Sequence, residues 1–126
     1  MRKQFKILIV DDEVEIAEEI AEHLISRGWT VMLVTDADQA ISALKSDPRI
    51  NLVLTDVRMP GLSGHELLAM ASKSLKPCPP FIFMSGHEDA IGVVAPVASA
   101  MLRKPFSLVR LDLAINQVLA DDQRPK

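Results

Sequence analysis

The sequence predicts a doubly wound α/β domain, a five-stranded parallel sheet with helices on both faces. Short apolar runs of strand length alternate with stretches of helical periodicity along the chain. The central run, Asn51-Leu52-Val53-Leu54-Thr55-Asp56, is apolar without alternation, as a strand buried on both faces must be. The runs also end in charged or hydroxyl side chains, at the strand ends where open α/β sheets bind ligands.

The first strand is Ile7-Leu8-Ile9-Val10, ending in Asp11-Asp12-Glu13. Ile16, Ile20 and Leu24 recur at i+4 behind it, with Ala17, Ala21 and Ile25 beside them, and define a helix stopped at Gly28. Asp11 and Asp12 stand where they can cap it. Trp29 to Val34 is the second strand. Asp36 or Asp38 caps a second helix carrying Ala37, Ala40, Ile41 and Leu44, closed by Asp47-Pro48. After the central strand, Met59-Pro60-Gly61 turns the chain, and Ser63-Gly64-His65-Glu66 has the form of a capping box for a helix reaching about Ser74. Phe81-Ile82-Phe83-Met84 is the fourth strand, ending in Ser85-Gly86-His87. Pro96 interrupts the next stretch, so a fourth helix between Glu88 and Ser99 is expected to be short or irregular. Ser99 to Leu102 forms the fifth strand, followed by Arg103-Lys104-Pro105. The last helix runs from about Ser107 to Ala120, with Leu108, Leu111, Ile115, Val118 and Leu119 as its stripe. The size and alternation are those of a flavodoxin-like three-layer sandwich.

With 126 residues, 48% of them hydrophobic, the chain reads as one domain over 1–126 with its core at about 6–120. A formal net charge of −3 disfavours direct contact with nucleic acid. The one cysteine, Cys78, excludes an intramolecular disulfide, and a cytoplasmic location is the expectation. No apolar run is long enough to cross a membrane, so no membrane partner is expected. Met32, Met59, Met70, Met84 and Met101 read as packing residues, His23 as a surface residue, and His65 and His87 as loop or cap residues.

Asp11 and Asp12, Asp56, Ser85 and Lys104 all fall at strand ends on one edge of such a sheet. Three carboxylates in one cleft repel one another unless something neutralises them. A hard divalent cation and a lysine both do so. The set suits phosphoryl transfer, in which positioning and neutralisation of charge carry most of the work and a carboxylate can be the nucleophile.

The chain resembles a two-component response regulator receiver domain. The resemblance is carried by Ile9-Val10-Asp11-Asp12-Glu13, by Leu54-Thr55-Asp56-Val57-Arg58-Met59-Pro60-Gly61-Leu62-Ser63-Gly64, by Phe83-Met84-Ser85-Gly86-His87 and by Lys104-Pro105-Phe106. It implies that Asp56 accepts a phosphoryl group from a phosphohistidine, and that Asp11, Asp12, Asp56 and the backbone carbonyl of Arg58 hold Mg²⁺, with Mn²⁺ as the alternative ion. It further implies that the Ser85 hydroxyl moves to the phosphoryl group, that Lys104 pairs with a phosphoryl oxygen, and that the Lys104–Pro105 bond is cis. The implied partners are a sensor histidine kinase or histidine phosphotransfer protein and a downstream protein target, and a homodimer is compatible with the pattern. Such a chain is no enzyme beyond its own phosphorylation and dephosphorylation.

His87 and Arg58, each two residues past a reactive position, fall where the family tunes loss of the phosphoryl group. Arg58 would shield the site or attract the incoming phosphate. Met101 occupies a position where many receivers carry Tyr or Phe, so the usual aromatic switch is not expected; with the fourth helix irregular as well, signalling is expected to use a different surface or a mobile segment from Glu88 to Ser99. A phosphate shuttle or sink and an unphosphorylated binding module are the alternative readings. A phosphohydrolase would need a second catalytic Asp where Arg58 stands, and a flavodoxin-like electron carrier would place its flavin phosphate against Asp11-Asp12-Glu13.

Overall fold

The computed structural model describes residues 6–86 and 99–122. The element order is β1 (Lys6–Val10), α1 (Val14–Ser26), β2 (Thr30–Val34), α2 (Ala37–Ser46), β3 (Ile50–Asp56), α3 (Gly64–Ser74), β4 (Phe81–Ser85), β5 (Ser99–Arg103) and α4 (Leu108–Asp122). Every described strand pair is parallel, in the order β2-β1-β3-β4-β5. β3 therefore lies at the centre, and the sequence changes direction across the sheet between β1 and β3, where this topology opens a crevice at the carboxyl ends. Residues 87–98 lie outside the described residues, and with them the expected irregular fourth helix and His87.

Strand side chains alternate between faces, and the two cores arise from that period. Ile7, Ile9, Leu52, Leu54, Ile82 and Met84 pack against α1 and α4 through Ala17, Ile20, Leu24, Leu111, Ile115 and Val118. Leu8, Val10, Val53, Phe81 and Phe83 pack on the other face against Ala37, Ala40 and Leu44 of α2 and Leu67, Leu68 and Ala71 of α3. Each fully buried large side chain contributes roughly 1.5–3 kcal/mol, which is why the apolar runs decide the layer order.

The helix ends obey local chemistry. Gly28 takes φ +96° after α1, its N–H bonds Ile25 O and that of Trp29 bonds Leu24 O, a Schellman closure. Asp36, not Asp38, caps α2 by accepting from Gln39 N at 2.8 Å. Ser63 and Glu66 form the reciprocal capping box of α3, with Glu66 N donating to Ser63 Oγ at 3.1 Å and Ser63 N donating to Glu66 Oε1 at 2.9 Å. Ser63→Ala is expected to cost about 1 kcal/mol, read as a lower denaturation midpoint at unchanged slope; an unchanged midpoint would show that the box adds nothing.

Several expectations are corrected. Asp11 does not cap α1 in the ordinary way: it accepts from the N–H of Glu13, itself the cap residue, at 2.9 Å, and Glu13 makes no side-chain cap. Ile16 and Ile25 are exposed, because the buried stripe of α1 runs through Ala17, Ile20 and Leu24. Leu108 is also exposed, since it lies at the very start of α4, and the stripe begins at Leu111. Met70 and Met101 face outward, whereas Met84 is core. His23 is not a free surface residue. Its Nε2 lies 3.0 Å from Asp112 Oδ1, tying α1 to α4, and Arg27 reaches the same carboxylate at 3.4 Å.

His65 is neither loop nor ordinary cap. It is the second residue of α3, its ring centroid 4.7 Å from that of Phe83 and tilted 47° to it, with both ring nitrogens buried and without a hydrogen-bond partner. Burying an unpaired polar atom is costly. His65→Phe keeps the ring contact and is expected to stabilise the protein by about 1 kcal/mol, measured by chemical denaturation; a destabilised variant would show that the nitrogens are needed.

Candidate functional site

The site is built at the carboxyl ends of β1, β3, β4 and β5. Val10 pairs with Thr55, and Asp56 pairs with Met84. The next residues, Asp11 on one side and Ser85 on the other, therefore flank Asp56. The chain leaving β5 is tied back by Lys104 N donating to Ser85 O at 2.6 Å. That tie sets the Lys104 side chain over the cleft. Its Nζ lies 3.3 Å from Asp56 Oδ2, 3.5 Å from Glu13 Oε1 and 3.8 Å from Asp11 Oδ2. The Lys104–Pro105 bond is cis, as expected, with Pro105 exposed.

Asp11 is fully buried and Asp56 is 7% exposed. Burial pushes both carboxyls above the usual carboxylate range; Lys104 opposes the shift, and the neighbouring acids add to it. The Arg58 backbone N–H bonds the Asp56 carboxylate, which places the Arg58 main chain at the cluster while its side chain is exposed. Burial would lower the Lys104 ammonium, but Asp11, Asp56 and Glu13 outweigh it and hold the pKa above its ordinary value.

Carboxylate oxygens of Asp11, Asp12 and Asp56 all lie within 4.8 Å of one another. Asp11 Oδ2 is buried with no hydrogen-bond partner. An orphaned buried oxygen beside two further hard oxygen donors fits Mg²⁺. The donor set contains no sulfur or imidazole that would favour a softer metal.

The loop after β3 is anchored from two sides. Val57 N donates to Met84 O at 2.9 Å, and Gly64 N donates to Val57 O at 2.8 Å. A Cβ on Gly64 would sit 2.5 Å from the Asp56 carbonyl oxygen. The absence of a side chain at Gly64 therefore lets α3 begin against the backbone of Asp56.

The structure thus brings Asp11, Asp12, Asp56 and Lys104 together, sets Ser85 on the adjoining strand end, buried, and leaves Met101 exposed opposite Phe83 on β5. Two contributors escape the sequence pattern. Glu13 reads there only as part of an acidic motif, and Gly64 only as part of a cap. The signal for Glu13 is its adjacency to the acid pair, and the signal for Gly64 is a poor helix former at the first position of α3.

Residues 7–116 match the family model of the response regulator receiver domain. The chain belongs to that family, and with it to the regulators of two-component signalling. It is 34% identical over 116 residues to the transcriptional regulatory protein FixJ of Bradyrhizobium diazoefficiens, covering 90% of this chain and 56% of FixJ. Nitrogen assimilation regulatory protein NtrX of Azorhizobium caulinodans is 33% identical over 118 residues, covering 90% of this chain and 26% of NtrX. Among solved structures, a response regulator receiver protein from Sinorhizobium medicae superposes with a TM-score of 0.81 at 30% identity, over 96% of this chain and 98% of that one. The curated relatives are longer, and this chain spans little more than half of FixJ and about a quarter of NtrX.

Proposed function

We propose that this receiver domain takes a phosphoryl group onto Asp56 from a phosphohistidine of a sensor kinase or phosphotransfer protein, and signals through changed contacts with a downstream protein in the cytoplasm. The observation that carries this reading is Lys104 Nζ within 3.3 Å of Asp56 Oδ2, inside a cluster of three carboxylates. A carboxylate oxygen of Asp56 attacks phosphorus, the P–N bond breaks, and its electron pair returns to the imidazole nitrogen. Lys104 then transfers its pairing from the carboxylates to a phosphoryl oxygen. The buried Ser85 hydroxyl, on the neighbouring strand end, donates to another.

Asp11, Asp12 and Asp56 would hold Mg²⁺ together with the backbone carbonyl of Arg58. Bound there, the ion neutralises the carboxylates and the phosphoryl oxygens. Beyond its own phosphorylation and dephosphorylation, the chain acts on no substrate in this reading.

Intact mass after incubation with acetyl phosphate and Mg²⁺ tests it. One added phosphoryl group is expected, dependent on Mg²⁺ and absent in Asp56→Ala. If no adduct forms and beryllofluoride does not bind either, Asp56 is not a phosphoacceptor.

A further inference from the structure

Lys104 is shared among three carboxylates that differ in exposure. Asp11 is sealed, Asp56 is nearly so, and Glu13 is 58% exposed. Glu13 therefore holds the solvent side of the ammonium. It stands outside the three-carboxylate group that could hold an ion, and its side chain does not cap α1. Any phosphodonor must bring its negative charge to Asp56 from solvent, and Lys104 must let go of a carboxylate to meet the phosphoryl oxygen.

We propose that Glu13 is a positioning residue that filters phosphodonors by charge, holding Lys104 back and repelling anions at the mouth of the site. The proposal rests on the phosphoacceptor reading of Asp56. Its consequence is that dianionic small donors are taken up more slowly than the cleft would otherwise allow, and donors of lower charge are disfavoured less. A carboxylate acting in this way is sensitive to salt, because it is exposed.

The test measures the rate of adduct formation, by intact mass, for wild type, Glu13→Gln and Glu13→Asp at Mg²⁺ saturating for each. Two donors are compared, acetyl phosphate, a dianion at neutral pH, and phosphoramidate, which carries less net charge. Glu13→Gln is expected to react roughly three- to tenfold faster with acetyl phosphate at low salt and under about twofold faster with phosphoramidate, the effect of one unit charge acting across several ångströms of water. The advantage should fade at high ionic strength. Glu13→Asp keeps the charge and should keep the wild-type donor ratio. A purely structural role would shift both donors equally and would not respond to salt. Equal rates for wild type and Glu13→Gln, or a gain independent of donor charge and salt, would overturn the filter while leaving Asp56 as acceptor. No adduct with any variant, together with no binding of beryllofluoride, would overturn both.

Discussion

Asp56→Asn is expected to abolish the phosphoryl adduct and, at the same time, to make the metal-free protein more stable. The amide has nearly the shape of the carboxylate, so the core is undisturbed. What disappears is a buried charge crowded by Asp11 and Asp12, while Lys104 keeps Asp11 and Glu13 as partners. The gain expected near neutral pH is on the order of 1 kcal/mol.

The same buried charge sets the sign of the pH dependence. The folded pKa of Asp56 is raised above its ordinary value of 3.8, so the folded state binds more protons than the unfolded state just above that pH. Stability from this group is then lost as pH rises from 3.8 through the folded pKa. The Asn variant should lack that fall. Added Mg²⁺ should stabilise wild type by about 2.7 kcal/mol at a hundred times its Kd and stabilise the variant much less. Thermal melts at several pH values with and without Mg²⁺ measure all three effects. A variant less stable than wild type in the absence of metal would show that the Asp56 carboxylate is a net stabilising partner of Lys104.

The second large effect is expected at Gly64. Alanine is the better helix former, and by propensity alone Gly64→Ala should stabilise α3 by up to about 1 kcal/mol. The structure reverses that sign. The new Cβ would lie 2.5 Å from the Asp56 carbonyl oxygen, on strand backbone that cannot swing aside, and 3.3 Å from the Thr55 side chain at Cγ2. A loss of about 2–3 kcal/mol is expected, as in other overpacked sites. The strain falls on the peptide of Asp56 itself, so phosphorylation should slow by about ten- to a hundredfold, the usual consequence of a misplacement approaching 1 Å. Denaturation and adduct kinetics on one preparation check both. A stabilised variant with unchanged kinetics would mean that the start of α3 can retreat without consequence.

Much of this molecule is legible in the chain itself. Runs such as Ile7–Val10 and Leu52–Leu54 are apolar without alternation, and only a strand covered on both faces uses them so. Ser63 and Glu66 announce the start of α3, and Gly28 the end of α1, because caps are local chemistry. Asp11, Asp12, Asp56 and Lys104 stand out because a parallel sheet sends all its strand ends to one edge, whatever their separation in sequence.

Contacts between elements are a different matter. Ile16 and Ile25 belong to the apolar pattern of α1 together with Ala17, Ile20 and Leu24, yet the packed face takes only the last three. His23 meets Asp112 across 89 residues, and Glu13 meets Lys104 across 91. No local period records either pair. Periodicity and capping determine which elements form and which strand ends carry charge. Only tertiary packing, by setting how each helix lies on the sheet and where each loop returns, decided that Gly64 touches Asp56, that the half-buried His65 hides its ring nitrogens beside Phe83, and that an exposed glutamate shares the lysine over the acceptor.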